Sequence, residues 1–561
     1  MGMVPRLCRL IAAAVVLSAS TSAIAQVIPP SELPGRERER FQDLPTPRAQ
    51  PGGPAIKLPS TVAPAGADKI VLLLRGVQIE GGTIYRPEDL AELYRDLIGH
   101  QVTLAAVYDI AQRITTKYGQ DGYVLSRAVV PPQELSPGGA VIRIQIIEGY
   151  IDKVEWPASI ASYFDYFSDY SAKIIADRPT NIRTLERYLL LAGDLPGLKF
   201  KNSLKPSATH PGAATLVVEV VEKPVDAFSR VDNRGTRARG PGQHYNTLTL
   251  NNLARIHEAF TVVYAGAFQS RELQYLGANW RHVLNSEGLT LFINSYASRS
   301  KPGTPELELL EYKTRSTLVE GGLAYPVIRQ RERNLTVTAL VFMSDDRSDI
   351  LDTLNTLDRM RGARAKADAD WADRWAGINQ VNVVLSQGFR DFGATENGSI
   401  FASRANGRVD FTKIEATASR TQPLIDRLSL LVAAYGQYAA TPLLSPELCG
   451  YGGRAFGRAF DPSEMVGDSC LQLLAELRLD VPSTITALTH QLYGFADRGW
   501  LHNIAPVLGT PVNVDGASVG GGIRLGLQAL PAVFTADLSA AKGVDGPRNE
   551  WRFFAVVTGR Y

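Results

Sequence analysis

Cysteine is scarce in this chain, three residues in 561. The first, Cys8, falls in an N-terminal leader, so the exported chain has room for one bridge and no more. Histidine is nearly as rare: seven residues, scattered, with no His-x-x-x-His metal pair. There is no Gly-x-Ser-x-Gly elbow, and the glycine-rich stretch from Gly516 to Gly526 lacks the lysine of a phosphate loop. The net charge is +2, without the basic excess of a nucleic-acid binder. No cofactor, metal, catalytic centre or nucleic-acid partner is therefore expected. Beyond the leader no apolar run approaches the length of a membrane-spanning helix. That excludes helical spans but not a β-barrel, whose alternating strands leave the chain about as polar overall as a soluble protein.

What is present begins with a secretory signal over residues 1–25. Arg6 and Arg9 supply the positive end, Leu10 to Leu17 a short apolar core, and Ala23-Ile24-Ala25 a small-x-small cleavage site, which places the mature start near Gln26. Residues 26–68 follow as a charged segment, Arg36-Glu37-Arg38-Glu39-Arg40-Phe41-Gln42, that reads as a short helix or a solvated tail. A linker then carries Pro45, Pro47, Pro51, Pro54, Pro59 and Pro64.

Residues 69–149 form a compact unit of order β-α-α-β-β. A strand from Ile70 to Ile79 leads to a helix opened by Pro87 with Leu90, Leu93 and Leu97 on one face. A second helix, capped by Thr103, carries Val107, Ile110, Ile114 and Tyr118, and strands follow over 123–130 and 140–148. Residues 150–223 repeat the pattern loosely: a strand into Trp156, a helix with Ile182, Leu185 and Leu189, and strands near 198–204 and 214–221. The segment 158–175 has no assignable element.

From 224 to 561 the texture changes to segments with alternating faces, such as Phe260, Val262 and Tyr264, or Leu335, Val337, Ala339 and Val341. At about 20 residues per strand and turn the region holds roughly 16 strands. A closed barrel is the sheet that sits in lipid without unpaired edges. The last segment places Phe553, Ala555, Val557, Gly559 and Tyr561 on one face, ending on an aromatic as outer-membrane barrels do. One loop stands apart: Cys449 to Cys470, too glycine-rich for a helix and longer than a hairpin turn. In an exported chain Cys449 and Cys470 read as a disulfide across its base, the alternative being two unrelated thiols.

These residues resemble the two-partner secretion transporters, the TpsB or ShlB/FhaC/HecB family. The first unit matches the family's POTRA pattern in Gly76, Glu80-Gly81, Gly99, Gly122-Tyr123, Arg127 with Pro131 and Gln133, and Glu148-Gly149. The second matches in Leu189-Leu190-Leu191, Asp194-Leu195-Pro196-Gly197 and Leu204-Lys205-Pro206, and Asp232-Asn233-Arg234-Gly235 resembles the first-strand motif. Gly457-Arg458-Ala459-Phe460 stands where the family has Val-Arg-Gly-Tyr or Val-Arg-Gly-Phe, and Phe495-Ala496-Asp497-Arg498-Gly499 matches Phe-x-Asp-x-Gly.

The resemblance implies a mixed fold, two periplasmic α/β POTRA domains (69–149 and 150–223) followed by a transmembrane antiparallel β-barrel (224–561) in the bacterial outer membrane. The implied function is secretion of an unfolded exoprotein, an adhesin or cytolysin, bound in the periplasm by the POTRA domains, with outer-membrane lipid around the barrel. It further implies a pore loop held by Arg458 on Asp497, with Gly457, Phe460, Phe495 and Gly499 around the pair, Arg454 as a rival for Arg458, and segment 26–68 as a tethered plug helix. The alternative is a general barrel-insertion factor of the same superfamily, which typically carries more such modules.

Overall fold

The structure, a computed structural model, describes residues 28–51, 62–136, 138–210, 212–506 and 510–561. The leader with its cleavage site, and the linker from 52 to 61, lie outside the described residues.

In the first unit, strands run in the order Gln101–Thr103, Val71–Glu80, Ala140–Ile147, Arg127–Val129. Helix Leu104–Gln120 lies on that sheet, its Val107, Ile110, Ile114 and Tyr118 fully buried against Ile142 and Ile144. The Thr103 hydroxyl accepts from the Ala106 amide and caps it. The expected first helix is shorter: Pro87–Leu90, then two single turns. Tyr94 leaves the helical region at φ −142° and breaks the run, so that only Leu90 of the three predicted leucines is fully buried. The extra strand Gln101–Thr103 makes the order β-α-β-α-β-β. In the Glu148-Gly149 match, Glu148 accepts from the Thr83 amide and hydroxyl, the Ile84 amide and Tyr118. Burial would raise its pKa, but these bonds hold the carboxyl below the usual range.

The second unit is a three-stranded sheet, Tyr150–Glu155, Ala213–Glu222, Leu198–Pro206, under two helices. The unassigned stretch contains helix Phe164–Ala176, whose Phe167, Tyr170 and Ile174 are buried at helical spacing. Helix Ile182–Gly193 follows, capped by Asn181. Strand Leu198–Pro206 is one of the two edge strands, its last six residues exposed.

The barrel closes with sixteen antiparallel strands. Alternation sorts side chains as the pleat requires: Leu248, Phe260, Val337, Val341 and Val432 face outward, while Glu320, Ser344, Asp346 and Gln437 are buried inward. Strands Arg333–Ile350 and Thr353–Ala372, 18 and 20 residues long, outrun the about 9–11 that span a bilayer. Their hairpin projects on the side away from the modules.

The second unit is pinned to the near rim. Glu287, in the turn before strand Thr290–Ser300, accepts from Lys173, from Arg187 at 3.0 Å and from Tyr188 at 3.1 Å. Arg329 grips Asp194 through two bonds of 2.6 and 2.8 Å. Glu287→Ala is expected to broaden the distance distribution between spin labels on helix Ile182–Gly193 and on the barrel rim. An unchanged distribution would assign the attachment to the remaining contacts, Arg329 with Asp194, Tyr166 with the Val283 carbonyl and Ser286 with Asp169.

Candidate pore-loop site

The loop between barrel strands Leu428–Ala439 and Ser469–Val481 folds back into the lumen as a small ribbon, Cys449–Tyr451 paired with Met465–Gly467. A disulfide joins Cys449 to Cys470 at the start of the wall strand, with Cα atoms 6.3 Å apart. Asp468, fully buried, anchors the base by accepting from Arg404 at 2.6 and 3.0 Å and from the amides of Leu443 and Ile504. At the tip Gly457 stands at φ +66°, and a Cβ there would lie 2.7 Å from the Gly452 nitrogen. Glycine in place of the family's valine is therefore a demand of this backbone.

Asp497 is buried on strand Leu488–His502. Its carboxylate accepts from the Tyr451 hydroxyl at 2.7 Å, from Ser518 at 2.7 Å and from the Arg458 backbone amide at 3.3 Å. The expected ion pair between Arg458 and Asp497 is not the one formed. The Arg458 guanidinium runs over the Phe495 ring, 4.6 Å from its centroid, and ends on Glu476. The register explains this: Glu476 is paired directly opposite Phe495, whereas the Asp497 oxygens are already taken by uncharged donors. Glu476, fully buried, also accepts from Arg478 at 2.6 Å and Arg524 at 2.9 Å. Asp497 thus holds the loop through Tyr451 and the backbone, and Glu476 holds it through Arg458.

The other predicted residues fall around this pair. Gly499 leaves room for the Tyr451 ring, which a Cβ would meet at 2.5 Å. Phe460 is buried against Tyr451, with ring centroids 5.8 Å apart. Arg454, the rival, turns away from Asp497 to Asp43 and Asp232, each at 3.0 Å. Phe553 and Val557 on the last strand, and Tyr561 just beyond it, are exposed on the outward side. Sequence reasoning missed Glu476, Tyr451 and Ser518. Glu476 carried a signal, an acidic residue on the inward face of a strand with Arg478 two positions along the same face.

The segment from 28 to 50 lies along the lumen. It forms a turn, Pro30–Glu32, and a five-residue helix, Glu37–Phe41, shorter than the helix expected. Ile28 rests among Ala238, Leu307 and Tyr312 on the outer side, while the Gln50 amide donates to the Arg331 carbonyl at the module rim. Arg239, completely buried, holds Glu32 and Glu37 at 3.0 Å each. Arg36 donates to the Ser445 and Leu448 carbonyls, and Glu39 accepts from Ser463 at 2.8 Å, so the segment and the loop are bonded to each other.

The barrel closes where strand Trp551–Arg560 meets Val225–Asp232 over five registered pairs, against ten between Trp551–Arg560 and Ala532–Asp545. Beyond the last pair Asn233 acts as a substitute peptide unit. Its carboxamide accepts from the Ala555 amide at 2.8 Å and donates to the Phe553 carbonyl at 3.0 Å. Asn233→Ala is expected to speed hydrogen exchange at the Ala555 amide while leaving the hairpin at 351–352 unchanged. Equal protection at Ala555 would remove the clamp from the account.

Comparison with known proteins places the chain in a family. The model of the haemolysin secretion/activation protein ShlB/FhaC/HecB family matches residues 212–524, and that of the ShlB-type POTRA domain matches 72–149. The chain is 21% identical to the outer membrane transporter CdiB of Escherichia coli over 499 residues, 86% of this chain and 83% of that one. It is 25% identical to the heme/hemopexin transporter protein HuxB of Haemophilus influenzae (strain 86-028NP) over 42% of each chain. The solved structure of CdiB from Escherichia coli superposes with a TM-score of 0.68 at 18% identity, covering 89% of this chain and 93% of that one. That of CdiB from Acinetobacter baumannii gives 0.57 at 16%, covering 99% and 98%. The chain belongs to the ShlB/FhaC/HecB family of haemolysin secretion/activation proteins, and is a two-partner secretion transporter of the bacterial outer membrane with its POTRA region in the periplasm.

Proposed function

We propose that the exported partner is captured as an extended chain on the second POTRA unit and passed outward through the lumen once residues 28–50 withdraw. The observation that carries this reading is the segment itself: an extended, charged stretch of polypeptide, bonded to both wall and loop, occupying the route a cargo would take. The edge strand Leu198–Pro206 offers an unpaired backbone edge, to which an incoming strand adds without demanding one sequence. Beside it, Ile182, Leu185, Leu189 and Leu204 line a groove of about 400 Å3 that ends at Arg331 of the barrel rim. In this reading the first POTRA unit shares the capture, residues 26–68 are plug and tether, and the disulfide limits how far the loop spreads. Lipid contacts the outward apolar faces. The sequence carries no phosphate-loop motif, and in this reading the drive comes from folding of the cargo outside the cell.

The test is a comparison of culture-medium and outer-membrane proteins with and without the gene. Loss of one large secreted protein, with other barrels unchanged, supports dedicated export and identifies the cargo. A broad fall in outer-membrane barrels would overturn it in favour of an insertion factor.

A further inference from the structure

Four charges alternate in a ring where the plug segment, the pore loop and the first barrel strand meet. Arg230 contacts Asp43 at 2.7 Å and Asp232 at 3.5 Å; Arg454 contacts Asp43 at 3.0 Å and Asp232 at 3.0 Å. Their exposures differ sharply. The side chains of Arg230, Arg454 and Asp232 are 4%, 6% and 3% exposed, while Asp43 is 61% exposed. The two cations are thus fixed in the wall and the loop, and one of their two anions projects from a removable segment into an open space.

That space is a cavity of about 390 Å3 lined also by Arg234, Arg458, Arg478 and Arg524. The last three share Glu476. Arg234 donates to the Arg458 carbonyl at 3.4 Å and the Ser539 hydroxyl at 3.5 Å rather than to a carboxylate. When residues 28–50 leave, Asp232 is the one ion-pair partner within 4 Å that Arg230 and Arg454 keep among the described residues, and a buried cation short of its anion is costly. The chain also presents Asp43 in the manner of a cargo. Gln42 before it is extended, at φ −83° and ψ 131°, and Pro45 and Pro47 after it hold an extended backbone.

We propose that Arg230 and Arg454 form a receptor for a carboxylate side chain of the exported polypeptide, which Asp43 occupies in the plugged state. The inference rests on the export reading for the identity of its ligand but not for the existence of the site. Two guanidiniums converging on one carboxylate give charge-assisted bonds that an amide or a lysine cannot replace. An acidic residue of the cargo therefore competes directly with the plug for its place.

The probe is a fluorescein-labelled hexaglutamate peptide, with hexaglutamine as control, titrated against the purified full-length protein in detergent. Asp43→Asn is expected to bind hexaglutamate at least roughly tenfold more tightly than the unsubstituted chain, the equivalent of one charge-assisted contact freed. Adding Arg454→Gln or Arg230→Gln is expected to abolish the gain, and hexaglutamine is expected not to bind. The heat-dependent gel shift of a folded barrel checks each variant, and Asp43→Ser serves as a second vacated form. Equal affinity with and without Asp43, binding that survives loss of either arginine, or no binding to any variant would overturn the site. Selective binding by a protein whose loss leaves the medium unchanged would instead sink the export reading and leave the site standing.

Discussion

Replacing Glu476 by alanine is expected to destabilise the barrel by about 3–5 kcal/mol and to abolish most export. One carboxylate, fully buried, serves Arg458, Arg478 and Arg524. Arg524 retains Asp537 at 3.0 Å, but Arg458 and Arg478 have no second ion pair within 4 Å among the described residues, Arg458 keeping Asp497 only as a neighbouring charge. Two guanidiniums would be left without a bonded counter-charge inside the lumen, and the loop tip would lose the group on which its arginine ends. Asp497→Asn makes a useful contrast. Its donors are two hydroxyls and an amide, so its loss costs about 1–3 kcal/mol, the range for hydrogen bonds to a buried group. Urea titrations followed by heat-dependent gel mobility give both numbers in one experiment. An equal or smaller loss for Glu476→Ala than for Asp497→Asn would mean that the loop hangs from Asp497 after all.

Replacing Arg239 by alanine is expected to release the N-terminal segment from the lumen. The guanidinium is completely buried and holds Glu32 and Glu37 at 3.0 Å each, donating also to the Glu32 carbonyl at 2.7 Å. Glu32 would retain Arg40 at 3.6 Å, but Glu37 would keep no ion pair within 4 Å among the described residues, only the more distant charge of Arg40. A buried carboxylate stripped of its partner shifts the plugged state by about 3–5 kcal/mol, enough to raise the open fraction at least roughly a hundredfold. Single-channel conductance in planar bilayers reads this directly, as openings longer and more frequent than those of the unsubstituted protein. Unchanged openings would show that Arg36 and Glu39, through the loop, hold the segment without Arg239.

The sequence made the barrel legible because its signal is local. Phe260, Val262 and Tyr264 alternate whatever their neighbours do, and they fall, like Leu335 to Val341, on a strand whose apolar face points outward. Helix Leu104–Gln120 was equally local, its stripe and its threonine cap lying in one stretch of chain. The pore site was half legible. Phe495, Asp497 and Gly499 lie where the motif places them, around the loop residues it pairs with them, but the partner of Arg458 depended on register: Glu476 faces Phe495 across a strand pair that no single stretch encodes. Residues 36–41 were harder still. Their charges read as a short helix or a solvated tail, because the partner of Glu37, Arg239, comes from the barrel, and that of Arg40, Glu32, from the turn before it. The helix Phe164–Ala176 was missed for a different reason, since aromatic residues, Phe167 and Tyr170, supply most of its buried stripe.

The segment from 28 to 50 also sets a calibre. It runs from the module rim to the outer loops, and its widest part is one turn of helix, on the order of 10–12 Å across. In the proposed export route, withdrawal of the segment would open a passage of that width, widened by the cavity beside Asp43, while the disulfide and Asp468 keep the loop's base against the wall. Such a passage would take a single extended chain or one helical turn and refuse a folded domain. Size alone would then sort what leaves: a polypeptide would have to arrive unfolded, and once folded on the far side it would be too wide to return.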